Sequence, residues 1–95
     1  MQTLLEIELN HQPSAADLAQ RGVLQWPIWE KEVSAFAWTY DSHETCYFLQ
    51  GEVIVTPDGG TPVRIGEGDL VTFPSGMRCT WQVLHPVRKH YHFFD

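Results

Sequence analysis

The turn signals in the second half of this chain constrain its fold more than any other feature. Gly51, Pro57-Asp58-Gly59-Gly60, Gly66-Glu67-Gly68 and Pro74-Ser75-Gly76 follow one another so closely that only short elements fit between them. The residues left over suit strands. Segments 33–40 (VSAFAWTY), 45–49 (TCYFL), 52–56 (EVIVT), 63–65, 69–73 (DLVTF), 79–84 (CTWQVL) and 87–94 (VRKHYHFF) are rich in β-branched and aromatic residues. Residues 3–9, TLLEIEL, set Leu5, Ile7 and Leu9 against Glu6 and Glu8, the period of two expected of a strand with one buried face. One helix is expected. In PSAADLAQRG, Ser14 stands three residues before Asp17 and Gly22 closes the run, which predicts a short helix over 14–21. Strands this short with turns this frequent predict an all-β sandwich or barrel carrying one short N-terminal helix.

Size and charge narrow the possible roles. At 95 residues the chain is read as a single domain, 1–95, able to bury roughly two thirds of its unfolded surface. Six Lys+Arg against twelve Asp+Glu give a formal charge of -6, too acidic for the basic patch that nucleic acid requires. An anionic membrane surface is disfavoured for the same reason. The N-terminus MQTLLEIELN has no basic stretch leading into an apolar one, so a cytoplasmic protein is expected. Cys46 and Cys79 are too few for a disulfide framework, and two reduced, half-buried thiols are expected.

The turns also carry a resemblance. GEGDLVTFPSG followed by MRCTW resembles the second cupin motif: Gly68, Pro74 and Gly76 fit it, and Cys79 takes the place of its histidine. Glu44 and Gly51 fit the end of the first cupin motif, whose two histidine places fall on Trp38 and Tyr40. The stretches WPIWEKEVSAFAWTYD, ETCYFLQGEV, GDLVTFP and PVRKHY look like small single-domain cupins of the ureidoglycine aminohydrolase-like branch, over about residues 26–92. The resemblance implies a small jelly-roll cupin barrel, a double-stranded β-helix whose inner faces line a pocket, often around one transition metal.

In metal-binding cupins three imidazoles and a carboxylate form the cage. The corresponding residues are Trp38, Tyr40, Glu44 and Cys79, of which only Glu44 and Cys79 are ready ligands. No cofactor is therefore expected, a divalent transition metal on those two residues being the disfavoured alternative. His43 adjoins Glu44 and should face the other way along a strand. His90 and His92 share a face and are read as a polar outer stripe, while His11 and His85 fall in expected loops without partners.

Strand parity then gives the lining. Trp38 and Tyr40 inward imply Ser34 and Phe36 inward; Cys79 inward implies Trp81 and Val83; Cys46 and Phe48 share the side of Glu44. Trp38, Tyr40, Glu44, Cys79, Trp81 and Lys89 are the candidate ligand-binding residues, with Cys79 a small buried hydrophobe in the vacated histidine place. The same aromatics can instead simply fill the barrel. A carboxylate inside an apolar barrel must rise in pKa or find a cation, and Arg78, Arg88 or Lys89 are the cations in reach, Lys89 being preferred. The expected function is binding of a small organic molecule without a complete metal site. Alternatives are a metal-assisted aminohydrolase and a metal-independent sugar-processing cupin using Tyr40, Glu44 or Lys89 as acid and base. A homodimer is expected, with residues 3–9 pairing across subunits.

Overall fold

The computed structural model describes residues 6–94. Among the described residues there are seven strands: β1 (Glu8–His11), β2 (Ile28–Lys31), β3 (Ser34–Thr39), β4 (His43–Pro57), β5 (Val63–Gly66), β6 (Asp69–Phe73) and β7 (Arg78–Phe94). Helix α1 (Ala15–Arg21) and a 3-10 turn (Val23–Gln25) lie between β1 and β2. All strand pairs are antiparallel. The all-β jelly roll with one short helix is thus the fold.

Two long strands build it. β4 and β7 pair along their whole length, from His43↔Phe94 to Pro57↔Cys79. The first half of β4 also pairs with β6, and its second half with β5. Residues 87–90 of β7 pair with β2, and its first residues with β3. Each long strand therefore belongs to two layers: β1-β6-β4-β7-β2 on one side, and β5-β4-β7-β3 on the other. The core lies between them.

The chain was expected to break at Gly51 and again near Pro86, giving four short strands. It runs through both. At Gly51 the register with β7 shifts in steps between Phe48 and Val53, and the glycine takes φ 106°. A Cβ there would collide with the Pro86 carbonyl and stand 2.8 Å from Val87 Cα, so only glycine admits the partner strand so close. The bulge also switches parity. Glu44, Cys46 and Phe48 are buried before it, Val53 and Val55 after it. β2 was not anticipated, because Glu30, Lys31 and Glu32 make its sequence look like a loop; its one inward aromatic is Trp29.

The helix forms as expected. Ser14 Oγ accepts from Asp17 N at 3.1 Å, and Gly22 ends the helix in the left-handed region at φ 71°. It is more than an appendage. Leu18 and Val23 pack on Leu70, with Trp26 and Tyr47 beside them, covering the outer face of the first layer. His90 and His92 lie on that outer face, and Trp26 meets both: its carbonyl meets His90 Nδ1 at 2.9 Å, and its ring stacks on His92 at 5.1 Å. The expected outer stripe is thus covered at His90, which is buried, and stays exposed at His92.

Three further expectations change. His11 lies in β1 with Nδ1 2.8 Å from Asp69 Oδ1, and His85 lies in β7 with Nε2 3.6 Å from Glu52 Oε1. Both have partners because the elements run longer than the turns suggested. Cys46 and Cys79 are free, but fully rather than half buried. The N-terminal strand is Glu8–His11, pairing with β6 of the same chain as the edge strand of the sheet, and among the described residues its other side is unpaired; residues 3–5 of the expected 3–9 lie outside the described residues. Among the described residues no helix is long and apolar enough to cross a membrane.

Candidate functional site

Strand geometry collects the site at one end of the barrel. From β4 the inward side chains are Glu44, Cys46 and Phe48; from β7 they include Trp81, Lys89 and Tyr91; β2 adds Trp29, and β3 adds Phe36 and Trp38. Tyr40 follows β3 and is held by the Pro74-Ser75-Gly76 turn. Gly76 N donates to its carbonyl at 2.7 Å, and Tyr40 N donates to Met77 O at 2.9 Å. The turn motif thus positions a wall residue.

These side chains enclose a cavity of about 150 Å³ lined by Trp29, Phe36, Trp38, Tyr40, Glu44, Trp81, Lys89, Tyr91 and Phe93. Its walls are aromatic faces locked against one another. Trp81 stacks with Phe36 at 5.9 Å and meets Trp29 edge-on at 5.9 Å, while Tyr40 stacks on Phe73 at 4.9 Å. Trp38 and Phe93 remain substantially exposed and form the apolar rim. The barrel is therefore partly filled and partly open.

A polar cluster sits under the aromatics. Lys89 Nζ donates to Glu44 Oε2 at 3.1 Å and to Cys46 Sγ at 3.0 Å, and Cys46 Sγ donates to the same Oε2 at 3.1 Å. All three residues are buried, Lys89 at 4% and Glu44 at 5% exposure. A lone charge at such depth would be prohibitive, so each needs the other. The aromatic faces help. Lys89 Nζ lies 4.9 Å from the Trp29 ring centre and 4.8 Å from that of Trp81.

Protonation follows from these contacts. Burial alone would lower the pKa of Lys89, but the Cys46 sulfur and the Glu44 carboxylate beside it oppose this and hold it above the ordinary lysine range. Burial pushes the Cys46 thiol far up despite the neighbouring ammonium, so it remains S–H and serves as a donor. Burial likewise raises Tyr40, and the charge of Glu44 adds to it. Trp81 Nε1 donates to Tyr40 Oη at 3.2 Å, which leaves the phenolic hydrogen free to be offered to the cavity.

Of the residues read from the sequence, Trp38, Tyr40, Glu44, Trp81 and Lys89 line this one cavity, and Glu44 has found the preferred cation. Cys79 does not line it. Its thiol lies 3.6 Å from Trp38 O, pointing at the neighbouring strand's backbone, and the thiol of the polar cluster is Cys46. Burial raises the Cys79 pKa to about 11, which keeps it protonated and unreactive at neutral pH. Ser34 is spent on Glu32 O at 2.8 Å outside the site. His43 does point away from Glu44 but is half buried, with its ring stacked on Phe94 at 5.2 Å.

Trp29, Tyr91 and Phe93 were missed. Tyr91 and Phe93 carry the parity of Lys89 and could have been read from it; Trp29 alternates with Ile28 and Glu30, a pattern too brief to stand out among charges. The places of a cupin metal cage hold an indole, a buried neutral phenol, a carboxylate already paired to Lys89 and a thiol turned to a carbonyl. These donors do not fit a metal ion. Among the described residues no other group of three or more His, Cys, Asp or Glu is placed to hold one.

The EutQ-like cupin domain matches residues 18–91. The chain belongs to the EutQ-like cupin family. This cupin is 54% identical to a DUF861 family protein from Thermotoga maritima, with a TM-score of 0.91 over 94% of this chain and 100% of that one. It is 26% identical to the EutQ protein of Clostridium difficile over 67% of this chain and 50% of that chain, with a TM-score of 0.61. A putative ethanolamine utilization protein Q from Salmonella typhimurium gives 25% identity, 67% and 51% coverage, and the same TM-score. This cupin thus spans about half the length of those two chains. No curated protein matches it.

Proposed function

We propose that this cupin binds a small, planar, uncharged organic molecule inside its barrel, without a metal. The observation that carries the reading is a self-neutralised floor beneath aromatic walls: Glu44 and Lys89 cancel one another within a cavity of about 150 Å³. A ligand with net charge would find no uncompensated partner there and would carry its desolvation cost alone. A flat uncharged ring can lie against Trp81 or Trp38, and a carbonyl or ring nitrogen on its edge can accept the free hydrogen of Tyr40. The volume is of the order that accommodates a single ring.

The test is calorimetric titration, with tryptophan fluorescence as a second readout, of single-ring compounds of matched size in uncharged, anionic and cationic sets. The uncharged set is expected to bind, and Tyr40→Phe to weaken binding by about 0.5–1.5 kcal/mol, the worth of one hydrogen bond. Binding confined to the charged sets, or absent from all three, would sink the proposal.

Two activities carried by the sequence resemblance have less support. A metal-independent acid–base reaction on a sugar draws on Tyr40, Glu44 and Lys89 meeting at one cavity, but aromatic faces supply few partners for a ring of hydroxyls. An aminohydrolase of the ureidoglycine type would need a metal to polarise its substrate, and the donors do not fit one. The homodimer stays a separate proposal, through the unpaired side of the edge strand β1, which light scattering at micromolar concentration decides.

A further inference from the structure

The Lys89–Cys46 contact has chemistry that ligand binding does not use. An amine nitrogen and a thiol sulfur lie 3.0 Å apart, both buried, with the Glu44 carboxylate 3.1 Å from each through the same oxygen. The backbone fixes the approach. Phe48↔Lys89 and Cys46↔Tyr91 are the paired residues on β4 and β7, so Cys46 and Lys89 are diagonal neighbours on the inner face of one antiparallel ladder. Neither strand can relax away without breaking that ladder.

We propose that Cys46 and Lys89 form an oxidative modification site, joined by molecular oxygen into a cross-link in which one oxygen atom bridges lysine nitrogen and cysteine sulfur. The balance closes. Glu44 takes one proton from the Lys89 ammonium; one N–H and the S–H bond then break, N–O and O–S bonds form, and the second oxygen atom leaves as water. Nitrogen and sulfur each lose two electrons, and dioxygen takes up all four. The product is Lys–NH–O–S–Cys beside a protonated Glu44.

The surroundings select this product over the commoner fates of a thiol. A disulfide with Cys79 is disfavoured because that thiol is turned to Trp38 O. Direct N–S bonding would pull the two strands together by more than an ångström from their 3.0 Å contact, whereas a bridging oxygen fits the gap with little movement. Full burial of Cys46 excludes bulky thiols such as glutathione, while dioxygen is small and apolar enough to enter the adjoining aromatic cavity. Closing the bridge consumes the ammonium and discharges Glu44, so the cavity floor loses both charges at once.

The proposal is independent of the ligand reading. Whole protein is incubated in oxygen-saturated buffer, and intact mass is followed by tryptic mapping. The expected result is a gain of one oxygen less two hydrogens, reversed by dithiothreitol, in a peptide joining Cys46 to an uncleaved Lys89. Cys79→Ser should keep the cross-link, and Cys46→Ser and Lys89→Arg should lose it, with circular dichroism to confirm folding. Wild-type protein alone decides if those variants do not fold. A loss of two hydrogens without oxygen, whole oxygens on Cys46 with Lys89 still cleavable, or an unchanged mass would each overturn it.

Discussion

The two ends of the barrel are built from the same two strands and yet differ in kind. Beyond the bulge, β4 contributes Val53 and Val55, which close on Ile65 and Val83 with no accessible surface to speak of. Before it, β4 contributes Glu44 and Cys46, which meet Lys89 of β7 under an aromatic cavity. The closed end is a dispersion-packed core in which every side chain has neighbours on all sides. The open end accepts a buried ion pair, a weaker source of stability than apolar packing of the same volume. The difference teaches that one end holds the barrel together while the other leaves a cavity open above a buried ion pair.

The largest expected effect falls on the open end. Lys89→Met should cost about 3–5 kcal/mol in denaturant unfolding, because it leaves the Glu44 carboxylate buried without a cation, and adding Glu44→Leu should recover most of that loss. No recovery would mean that the ion pair itself, not the uncompensated charge, supports the fold. The same pair sets the alkaline limit. Lys89 has a raised pKa in the folded protein, so its stabilising share is complete below the unfolded lysine value of about 10.4 and is lost as pH rises through the folded one. Cys79, raised to about 11, acts in the same direction from the unfolded thiol value upward. Thermal melts should therefore fall at strongly alkaline pH, and less steeply in the Glu44→Leu, Lys89→Met double variant.

At the closed end, Ile65→Ala should cost about 2–5 kcal/mol by leaving a cavity, measured by the same unfolding, without changing affinity for a ring bound at the open end. A change in that affinity would show that the two ends are coupled. Ser14→Ala should cost about 1 kcal/mol through loss of the bond to Asp17 N, read in the melting temperature. The smallest effect belongs to the surface. Glu52→Gln, which breaks the exposed pair with Arg64, should change stability by less than about 1 kcal/mol and shrink further in high salt.

The legible parts of this protein were local. Ser14 and Gly22 announce α1 because a cap is a bond between near neighbours, and Gly68, Pro74 and Gly76 announce their turns because backbone conformation there is restricted residue by residue. Parity along a strand, likewise local, extended the motif places at Trp38, Tyr40 and Cys79 to Phe36 and Trp81, while Lys89 entered as the cation that Glu44 requires. Parity misled at Cys79, since facing inward does not say where along the barrel a thiol arrives.

What the sequence by itself determined, then, was the class of fold, the cupin superfamily and part of the parity of the lining, all carried by spacings of a few residues. Tertiary structure alone decided that Gly51 is a bulge, because only the passage of Pro86 and Val87 across it shows why no side chain fits. It decided that Cys46 rather than Cys79 is the thiol beside Lys89, because residues 43 positions apart meet only through the register of β4 on β7. It decided the partner of Glu44 for the same reason. A buried charge must find its counterion in space, and sequence order does not measure that distance.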